Sequence, residues 1–365
     1  MLEKEIFHKV LILHFITGLQ SGGAEYNLSK LVKETTHEHV VISLTKGGKY
    51  RKIFMQRGIM LIDFSLFDLA NRQSELRQLI LKADLIMSWL HHADFVVSFI
   101  KMLNKHIPIV WNIRNDVINF RNGWILPIIF KINIKLSRFV PDVICFNSKA
   151  AIKGYDKIGY PKYKFCFIPN GINYKNKIFS YNRTNQFTIG IIGRWDNIKN
   201  YSYAFDIIKA FSESVNLKVI LVGLNMTPQN EELKSMLLSY GFDKNFTLKG
   251  EVSNLSKVYR SIDVLLSPSL SEGFSNVLLE ATAYGVPTIA TNVGDNELIL
   301  KNIGKIIKFN DTQKAVSELM RLNAKYIKFD EWMEYRRKIS KKANGRFSEK
   351  NFFVAYENLW SKFQK

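Results

Sequence analysis

With 365 residues, the chain is too long for one ordinary hydrophobic core and favours two domains. Apolar residues make up 47% and charged residues 23%, a composition that excludes the disordered and fibrous classes. The 52 Lys and Arg outnumber the 32 Asp and Glu and give a net charge of +20. Such a charge suits a nucleic acid, an anionic lipid or a polyphosphate ligand, unless an AT-rich genome alone accounts for the lysines.

The two cysteines, Cys145 and Cys166, both lie in apolar strand-like runs. They form neither a disulfide framework nor a zinc-ligand spacing, so we expect unreactive core thiols in a reducing compartment. Near the N-terminus, the apolar run VLILHFI is too short for a signal peptide. No run of about 18 apolar residues occurs, so no membrane-spanning helix is predicted.

Short apolar runs recur along the first half of the chain, separated by stretches with helical spacing. Several are apolar on both faces, as buried parallel strands should be. The predicted strands are 9–16, 39–44, 59–66, 83–89, 107–113, 141–147 and 163–169. This alternation predicts a doubly wound α/β domain over residues 1–172.

A polar stretch, residues 173–186, predicts an interdomain linker, and a second α/β domain over 187–345 follows. Its predicted strands are 187–193, 217–223, 246–250, 262–268, 286–291 and 303–309, with helices near 200–213, 230–241 and 276–284. The chain from about 311 onward reads as helical, and residues 346–365 are expected to pack back on the first domain. Two such domains create a cleft, and ligands of these sheets bind beyond the carboxyl ends of the strands.

The loop TGLQSGGAE (17–25) follows the first strand and opens the first helix. Gly22 and Gly23 lack side chains, so a ligand can approach the backbone, and a helix start favours an anion. The spacing is neither GxGxxG nor a Walker P-loop. An ordinary glycine turn therefore remains the alternative to a phosphate contact.

The loop IIGRWDNIKN (191–200) follows the first strand of the second predicted domain. A guanidinium fork at Arg194 and an ammonium at Lys199 suit a diphosphate at the end of that strand. Two solvated cations in a lysine-rich protein are the alternative.

The stretch SLSEGFSNVLLE (269–280) places one glutamate on a loop and another inside a helix. Ser275 is the predicted N-cap of that helix, so Glu272 precedes it and Glu280 lies within it. This arrangement does not set two carboxyls across a scissile bond, as a glycosidase requires. Because Glu280 has apolar neighbours, its carboxylate needs a hydrogen-bond donor.

Five features occur along the chain in the order found in one enzyme family. They are Gly-Gly-Ala-Glu (22–25), IPNGIN (168–173), Gly-Arg with a later lysine (193–199), Glu-x7-Glu (272–280) and EATAYGVPTIATNVGDNELI (280–299). Each motif is weak alone, but the ordered set resembles the GT4 family of retaining glycosyltransferases, which have the GT-B fold. The resemblance runs from residue 17 to about 299.

The resemblance implies an α/β fold of two Rossmann-like, doubly wound domains facing a cleft, with a helical C-terminal tail. By motif matching, Arg194 and Lys199 would clamp the donor diphosphate, and Glu280 would accept hydrogen bonds from the ribose. Glu272 would face the donor sugar. The other implied donor contacts are Gly22, Gly23, Gly273, Phe274, Ser275 and Asn276. The family usually works without a metal, because an Arg and a Lys can neutralise the leaving diphosphate.

A histidine after the predicted strand 83–89 matches the family's position near the donor sugar, and His92 fits better than His91. His91 and Arg114 are candidate acceptor contacts, although Arg114 stands where many relatives have a histidine. A hydrogen-bonded loop histidine is the alternative for this position. The predicted catalytic residues are then Glu272, Arg194, Lys199 and His92.

The implied activity is transfer of a hexose or N-acetylhexosamine from a nucleotide-sugar, a UDP-sugar foremost, with retention at the anomeric carbon. The implied acceptor is a glycan, lipid-linked, in bacterial O-antigen, capsule or lipooligosaccharide assembly. Residues 119–140 combine apolar bulk with only basic charges, which suits a cytoplasmic protein held at the inner face of the membrane by anionic lipid. A core helix with a basic rim is the alternative.

Two other functions fit parts of the sequence. An epimerase with the GT-B fold would use the same cleft and convert a nucleotide-sugar without an acceptor. A nucleic-acid-binding protein would also be basic, but no recognised motif is present. A dinucleotide oxidoreductase is excluded because its glycine fingerprint is missing. The sugar, the base, the acceptor and the oligomeric state stay open.

Overall fold

The computed structural model describes residues 9–20, 22–64, 73–116, 125–174, 181–242 and 245–363. The chain divides into two compact units, here called the first and the second unit. The first unit contains the residues up to Asn170 together with those from Lys350 onward, and the second unit runs from Gly171 to Glu349. Part of the predicted linker, residues 175–180, lies outside the described residues.

The first unit is built on a parallel seven-stranded sheet with the order β3-β2-β1-β4-β5-β6-β7. Its strands are β1 (Leu11–Ile16), β2 (Glu38–Ser43), β3 (Met60–Asp63), β4 (Leu85–Trp89), β5 (Ile109–Ile113), β6 (Val143–Phe146) and β7 (Phe165–Phe167). Leu13 and Phe15 pack into one apolar cluster, whereas Ile12 and Ile16 pack into another. Successive residues of a strand point to opposite faces, so both faces of this sheet are buried.

Six helices of the first unit precede the second unit in the described sequence. They are α1 (Gly23–Glu34), α2 (Lys49–Gln56), α3 (Gln73–Lys82), α4 (His91–Leu103), α5 (Ile125–Leu136) and α6 (Lys149–Lys157). Each connects two parallel strands, as crossover helices do.

The second unit has a parallel six-stranded sheet with the order β10-β9-β8-β11-β12-β13. Its strands are β8 (Phe187–Ile192), β9 (Leu217–Val222), β10 (Phe246–Leu248), β11 (Val264–Ser267), β12 (Thr288–Thr291) and β13 (Lys305–Ile307). Its helices are α7 (Tyr201–Ser212), α8 (Glu231–Ser239), α9 (Ser256–Ser261), α10 (Asn276–Ala283), α11 (Asn296–Leu300), α12 (Thr312–Ile327) and α13 (Phe329–Ala343).

The last helix, α14 (Glu349–Trp360), returns to the first unit. Phe352, Tyr356 and Trp360 are buried in the same apolar cluster as β1 and β4 residues. Together with α12 and α13, this helix confirms the expected helical C-terminal tail. No helix in the described part of the chain combines the length and apolarity that a bilayer crossing needs.

The thirteen predicted strand segments each coincide with one strand of the structure, so the expected α/β fold is confirmed. The cysteines depart in part from expectation. Cys145 and Cys166 pair in register across β6 and β7, and burial raises the pKa of Cys145. A hydrogen bond with Cys145 lowers the pKa of the half-buried Cys166 to about 7, so this thiol is more acidic than an inert core thiol.

Candidate active site

The strand order of the second unit reverses between β8 and β11. From β8 the chain proceeds outward through β9 and β10, and it then returns to place β11 on the other side of β8. The loops that follow these two neighbouring strands leave the same edge of the sheet in opposite directions. Such a switch point is where open α/β sheets bind ligands.

The loop after β8 is held by Asp196. Its carboxylate accepts hydrogen bonds from the Ile198 backbone N–H at 2.9 Å and from Arg194 Nε at 2.8 Å. Partial burial raises the pKa of Asp196, but these two hydrogen bonds and the charges of Arg194 and Lys199 outweigh it and lower the pKa. Arg194 itself keeps 54% of its side chain exposed, so its guanidinium can reach an incoming anion.

Lys199 and Glu272 connect the loops after β8 and β11. Lys199 Nζ lies 2.6 Å from Glu272 Oε1, and the Ser269 hydroxyl donates to the same oxygen at 2.8 Å. The two charged side chains are only 22% and 14% exposed. The backbone N–H of Leu270 also donates to the Ile198 carbonyl at 2.7 Å. The structure thus brings together two of the predicted catalytic residues and adds Ser269, which sequence reasoning missed.

Two glycines allow this close packing. A side chain at Gly193 would lie 3.3 Å from the Lys199 stem and from the Tyr201 hydroxyl. Gly294 has φ +53, and a Cβ there would lie 2.1 Å from the Glu272 carbonyl oxygen. The loop after β12 therefore packs directly against the backbone at Glu272 and Gly273.

The start of α10 follows the Glu272 loop. Ser275 is the N-cap residue, as predicted, and Asn276 begins the helix. The Phe274 ring is buried and meets the Phe347 ring edge-on at 5.1 Å. The Asp295 N–H donates to the Gly273 carbonyl at 3.0 Å. Because the Phe274 ring is buried, only the backbone of this residue can make the expected contact with the donor.

Glu280 is half-buried on α10, and it has the hydrogen-bond donor that its apolar neighbours demanded. The Tyr259 hydroxyl lies 3.0 Å from Glu280 Oε2. Tyr259 is fully buried, stacks on the Tyr284 ring at 5.2 Å, and receives a hydrogen bond from Arg336 at its carbonyl. Sequence reasoning missed Tyr259, because nothing in its neighbourhood signals a partner 21 residues away.

In the first unit, the glycines of the loop after β1 lie at the start of α1. Gly22 is the N-cap with an extended φ of −164°, and Gly23 is the first helical residue. A Cβ at Gly22 would lie 2.4 Å from the Glu25 carboxylate, so close packing rather than a left-handed backbone requires glycine there. Ser21 lies outside the described residues.

The two neighbouring histidines after β4 have different environments. His91 is buried, with Nε2 2.8 Å from the Tyr155 hydroxyl and Nδ1 3.4 Å from Asp94 Oδ2. His92 is half-buried, and its pKa is lowered by burial and by His91, while Asp94 opposes the shift. A neutral ring at neutral pH can donate one hydrogen bond and accept another. Leu90, just before them, has φ 73° and ψ 159°, a strained conformation of the kind that clusters at functional sites.

Arg114 follows β5 and points into the interior of the first unit. Its guanidinium donates to the Tyr356 hydroxyl at 3.1 Å and to the Asn170 side-chain oxygen, and it lies 5.8 Å from the Trp89 ring centroid. Arg114 and His91 are both buried and engaged. Both therefore take part in the packing of this unit, and the expectation that they contact the acceptor stays a prediction.

The segment 119–140 is described from residue 125 onward. Its helix α5 buries Phe130 and Asn133 but exposes 49% of Ile128 and 38% of Ile132. Lys131 and Lys135 are exposed on the same helix. One face of α5 is therefore core, and the other is apolar, basic and open to solvent; binding of this second face to a membrane stays a prediction.

Comparison with known proteins begins with the second unit. Residues 186–324 match the family model of glycosyl transferases group 1, a range that contains the loops after β8 and β11 and helix α10. Over these residues, the chain is similar to the group 1 glycosyltransferases. The resemblance inferred from the motifs is thereby confirmed.

Two curated relatives extend the comparison. The capsular polysaccharide biosynthesis glycosyltransferase CapH of Staphylococcus aureus is 23% identical over 303 residues, which cover 79% of this chain and 82% of that protein. The UDP-Gal:alpha-D-GlcNAc-diphosphoundecaprenol alpha-1,3-galactosyltransferase of Escherichia coli is 27% identical over 180 residues, which cover 44% of this chain and 45% of that enzyme. The chain thus spans less than half the length of the second relative.

Among solved structures, Anabaena Alr3699/HepE in complex with UDP-glucose aligns with a TM-score of 0.82 at 18% identity. The alignment covers 96% of this chain and 100% of that chain. A likeness at this identity shows the fold, and it confirms the expected GT-B class.

Proposed function

We propose that this protein is a retaining glycosyltransferase that moves a hexose or N-acetylhexosamine from a nucleotide-sugar, foremost a UDP-sugar, to a lipid-linked glycan in bacterial capsule or lipopolysaccharide assembly. One observation carries the proposal. At the switch point of the second unit, Lys199 pairs with the loop carboxylate Glu272, Arg194 lies on the same loop as Lys199, and the following helix α10 carries Glu280. The family match over the same residues and the names of the relatives support the sugar-transfer chemistry.

The donor diphosphate would lie against the loop after β8. Arg194 and Lys199 supply two positive charges there, and the first turn of α10 supplies backbone N–H groups. Glu272 holds the Lys199 ammonium at 2.6 Å, so this cation is positioned for the phosphate and needs little reorganisation. These cations take the neutralising role that a metal ion has in other transferases.

The ribose of the donor would contact Glu280. The Tyr259 hydroxyl donates a hydrogen bond to Glu280 Oε2 and orients the carboxylate. An oriented carboxylate can accept hydrogen bonds from both hydroxyls of a ribose. Glu280 therefore contributes to donor affinity rather than to the chemical step.

In the reaction, the bond between the anomeric carbon and the β-phosphate oxygen breaks, and the acceptor oxygen bonds to the anomeric carbon from the same face. The acceptor proton passes to the leaving phosphate oxygen, so charge and atoms balance. Arg194 and Lys199 stabilise the charge that grows on the diphosphate. Glu272 holds Lys199 and faces the sugar, and His92 is a further candidate catalytic residue by the motif resemblance.

The acceptor is proposed to reach the enzyme at an anionic membrane surface on the cytoplasmic side. The exposed face of α5 presents Ile128 and Ile132 beside Lys131 and Lys135, and Phe139 just beyond the helix is 80% exposed. Apolar side chains combined with basic ones supply the two signals that peripheral binding needs. Vesicle flotation of an Ile128→Ser, Ile132→Ser variant tests this, with exposed Leu238 and Ile327 changed to serine as the matched control. Only the α5 variant should fail to float with anionic vesicles, and the control should float like the wild type.

The decisive experiment is a thermal-shift screen of nucleotide-sugars followed by NMR of the reaction product. A donor present at 100 times its dissociation constant should stabilise the protein by about 2.7 kcal/mol. The selected donor should then glycosylate an acceptor with the anomeric configuration of the donor retained.

Two outcomes would overturn the proposal. If no nucleotide-sugar raised the melting temperature, the donor site would be wrong. If the donor changed its sugar configuration with no acceptor present, the protein would be a nucleotide-sugar epimerase that uses the same residues.

A further inference from the structure

A cavity lies in the second unit, away from the donor loops. It has a volume of about 530 Å³ and is walled by residues 302–305 and by the facing sides of α12 and α13. Residues 302–305 enter β13 at its amino-terminal end, whereas the donor loops leave β8 and β11 at their carboxyl ends. Because all six strands are parallel, one site lies at the amino-terminal ends of the strands and the other at their carboxyl ends.

The cavity is lined by five cationic side chains and one carboxylate. The cations are Lys305, Lys314, Arg321, Lys338 and Lys342, and the carboxylate is Glu318. Glu318 is taken by Arg321, with Nη2 to Oε1 at 2.5 Å, and Lys338 pairs with Glu334 at 2.6 Å. Within the described ranges, the ammonium groups of Lys305, Lys314 and Lys342 have no ion-pair partner.

Helix geometry concentrates these cations instead of spreading them. Lys314 and Arg321 are seven residues apart on α12, and Lys338 and Lys342 are four apart on α13, so each pair shares one helix face. Like charges four residues apart, as at Lys338 and Lys342, destabilise a helix. Ala315, Leu319 and Leu322 anchor α12 in the core, and Ile339 anchors α13, so the cations cannot move apart by shifting the helices.

We propose that this cavity binds a phosphate-bearing anion carrying two or more negative charges. Such a ligand would neutralise the three unpaired ammonium groups at once and relieve their mutual repulsion. Ser317 and Tyr335 add hydroxyl groups to the wall. The Tyr335 ring is already stacked with Arg321, whose guanidinium carbon lies 5.8 Å from its centroid, so the site favours phosphate groups over a nucleobase.

The test uses inorganic tripolyphosphate as the probe, with its dissociation constant measured by calorimetry. In the test variant, Lys305, Lys314 and Lys342 become glutamine. The matched control removes the same charge from Lys209, Lys234 and Lys257, which are exposed lysines of the same unit outside both sites. The test variant should bind the probe at least tenfold more weakly than the wild type, and the control within twofold. Equal binding by the two variants would overturn the proposal.

A single Lys342→Glu variant and a vesicle arm complete the design. Lys342→Glu should weaken tripolyphosphate binding even if the triple variant is poorly folded, and unchanged binding would count against the site. Phosphatidylglycerol vesicles are compared with phosphatidylcholine vesicles. Loss of vesicle binding by the test variant alone identifies a lipid headgroup as the source of the phosphate, and loss of tripolyphosphate affinity alone identifies a soluble ligand. Vesicle binding that survives in the test variant and disappears with the α5 substitutions belongs to α5.

Discussion

Each unit is built on its own parallel sheet, but the polar side chains at the strand ends have opposite environments in the two units. After β4 and β5 of the first unit, His91 and Arg114 turn inward and are buried among aromatic rings. After β8 and β11 of the second unit, Arg194, Lys199 and Glu272 stay on loops that solvent reaches. Polar groups partnered in the interior specify packing, whereas polar groups partnered at a loop can exchange a partner for a ligand.

The same contrast runs deeper into the first unit. His14 is fully buried, with Nε2 3.0 Å from His39 Nδ1 and with Nδ1 accepting from Trp89 Nε1 at 3.2 Å. Burial first, and the neighbouring histidine second, lower the pKa of His14. This network holds neutral, buried rings against Trp360 of α14.

The largest effect is expected from Lys199→Ala. The change removes a cation from the proposed diphosphate site and leaves the Glu272 carboxylate without its 2.6 Å partner. Charge-assisted hydrogen bonds contribute about 1.5–3 kcal/mol each, so turnover should fall roughly 10- to 100-fold. Release of nucleoside diphosphate from the selected donor measures it.

Lys257→Ala is the matched control, since Lys257 is an exposed lysine on α9 of the same unit. Arg194→Ala should have a smaller effect than Lys199→Ala, because Arg194 is more exposed. If Lys199→Ala kept turnover within twofold of the wild type, the polar groups at the strand ends of the second unit would not differ in function from the packing groups of the first unit.

The paired histidines test the first unit directly. His91→Ala deletes a buried ring, leaves the Tyr155 hydroxyl without its partner at 2.8 Å and should lower the free energy of unfolding by about 2–3 kcal/mol. His92→Ala should change that free energy by less than about 0.5 kcal/mol and should lower turnover instead. Urea unfolding followed by tryptophan fluorescence measures both. Equal destabilisation by the two changes would mean that His92 is also a packing residue.

Lowering the pH should change the free energy of unfolding in opposite directions through one buried group of each unit. Burial and the charge of His37 lower the pKa of His39 to about 3, below its unfolded value near 6.5. The unfolded chain therefore binds the proton first, and stability falls as the pH drops from 6.5 toward 3. In the second unit, burial raises the pKa of Asp263 to about 6, above its unfolded value near 3.9, so stability rises as the pH drops through 6 toward 4.

Two variants separate these contributions in unfolding measurements at pH 7 and pH 5.5. His39→Gln should reduce the wild-type loss of stability by about 1 kcal/mol. Asp263→Asn should increase the fall in the free energy of unfolding between pH 7 and pH 5.5 by about 1 kcal/mol, because it removes the carboxyl group whose protonation opposes that fall. Identical pH slopes for the wild type and both variants would show that neither buried group titrates between the folded and unfolded states as argued.

The strands were predictable because each is a short apolar run bounded by polar loops, and burial on both faces leaves that pattern in the sequence. Ser275 was predictable as an N-cap because capping is a local property. The pairing of Lys199 with Glu272 joins residues 73 apart, and the meeting of Tyr259 with Glu280 depends on how α9 packs beside α10. Such contacts are set by tertiary packing, which periodicity does not encode.

The contrast between His91 and His92 shows a finer limit. The residues are adjacent and chemically identical, and their environments differ because α4 begins at His91 after the strained Leu90. A shift of one residue would exchange the buried and the half-buried ring. Likewise, α5 is apolar enough for a core helix, and only the structure separates its buried Phe130 from its exposed Ile128.

The smallest expected effect tests the orientation of Glu280. Tyr259→Phe keeps the buried ring and its stacking on Tyr284 but removes the hydroxyl that lies 3.0 Å from Glu280 Oε2. Loss of one such hydrogen bond costs about 1 kcal/mol, so KM for the donor should rise about fivefold. Because Glu280 is proposed to contact the ribose and not the reacting atoms, kcat should stay within twofold. Tyr240→Phe is the control, since it removes a tyrosine hydrogen bond to Asp206 of 2.7 Å elsewhere in the same unit. If Tyr259→Phe lowered kcat and left KM unchanged, Glu280 would act in the chemical step, and the division between a binding carboxylate and the Lys199–Glu272 pair would be wrong.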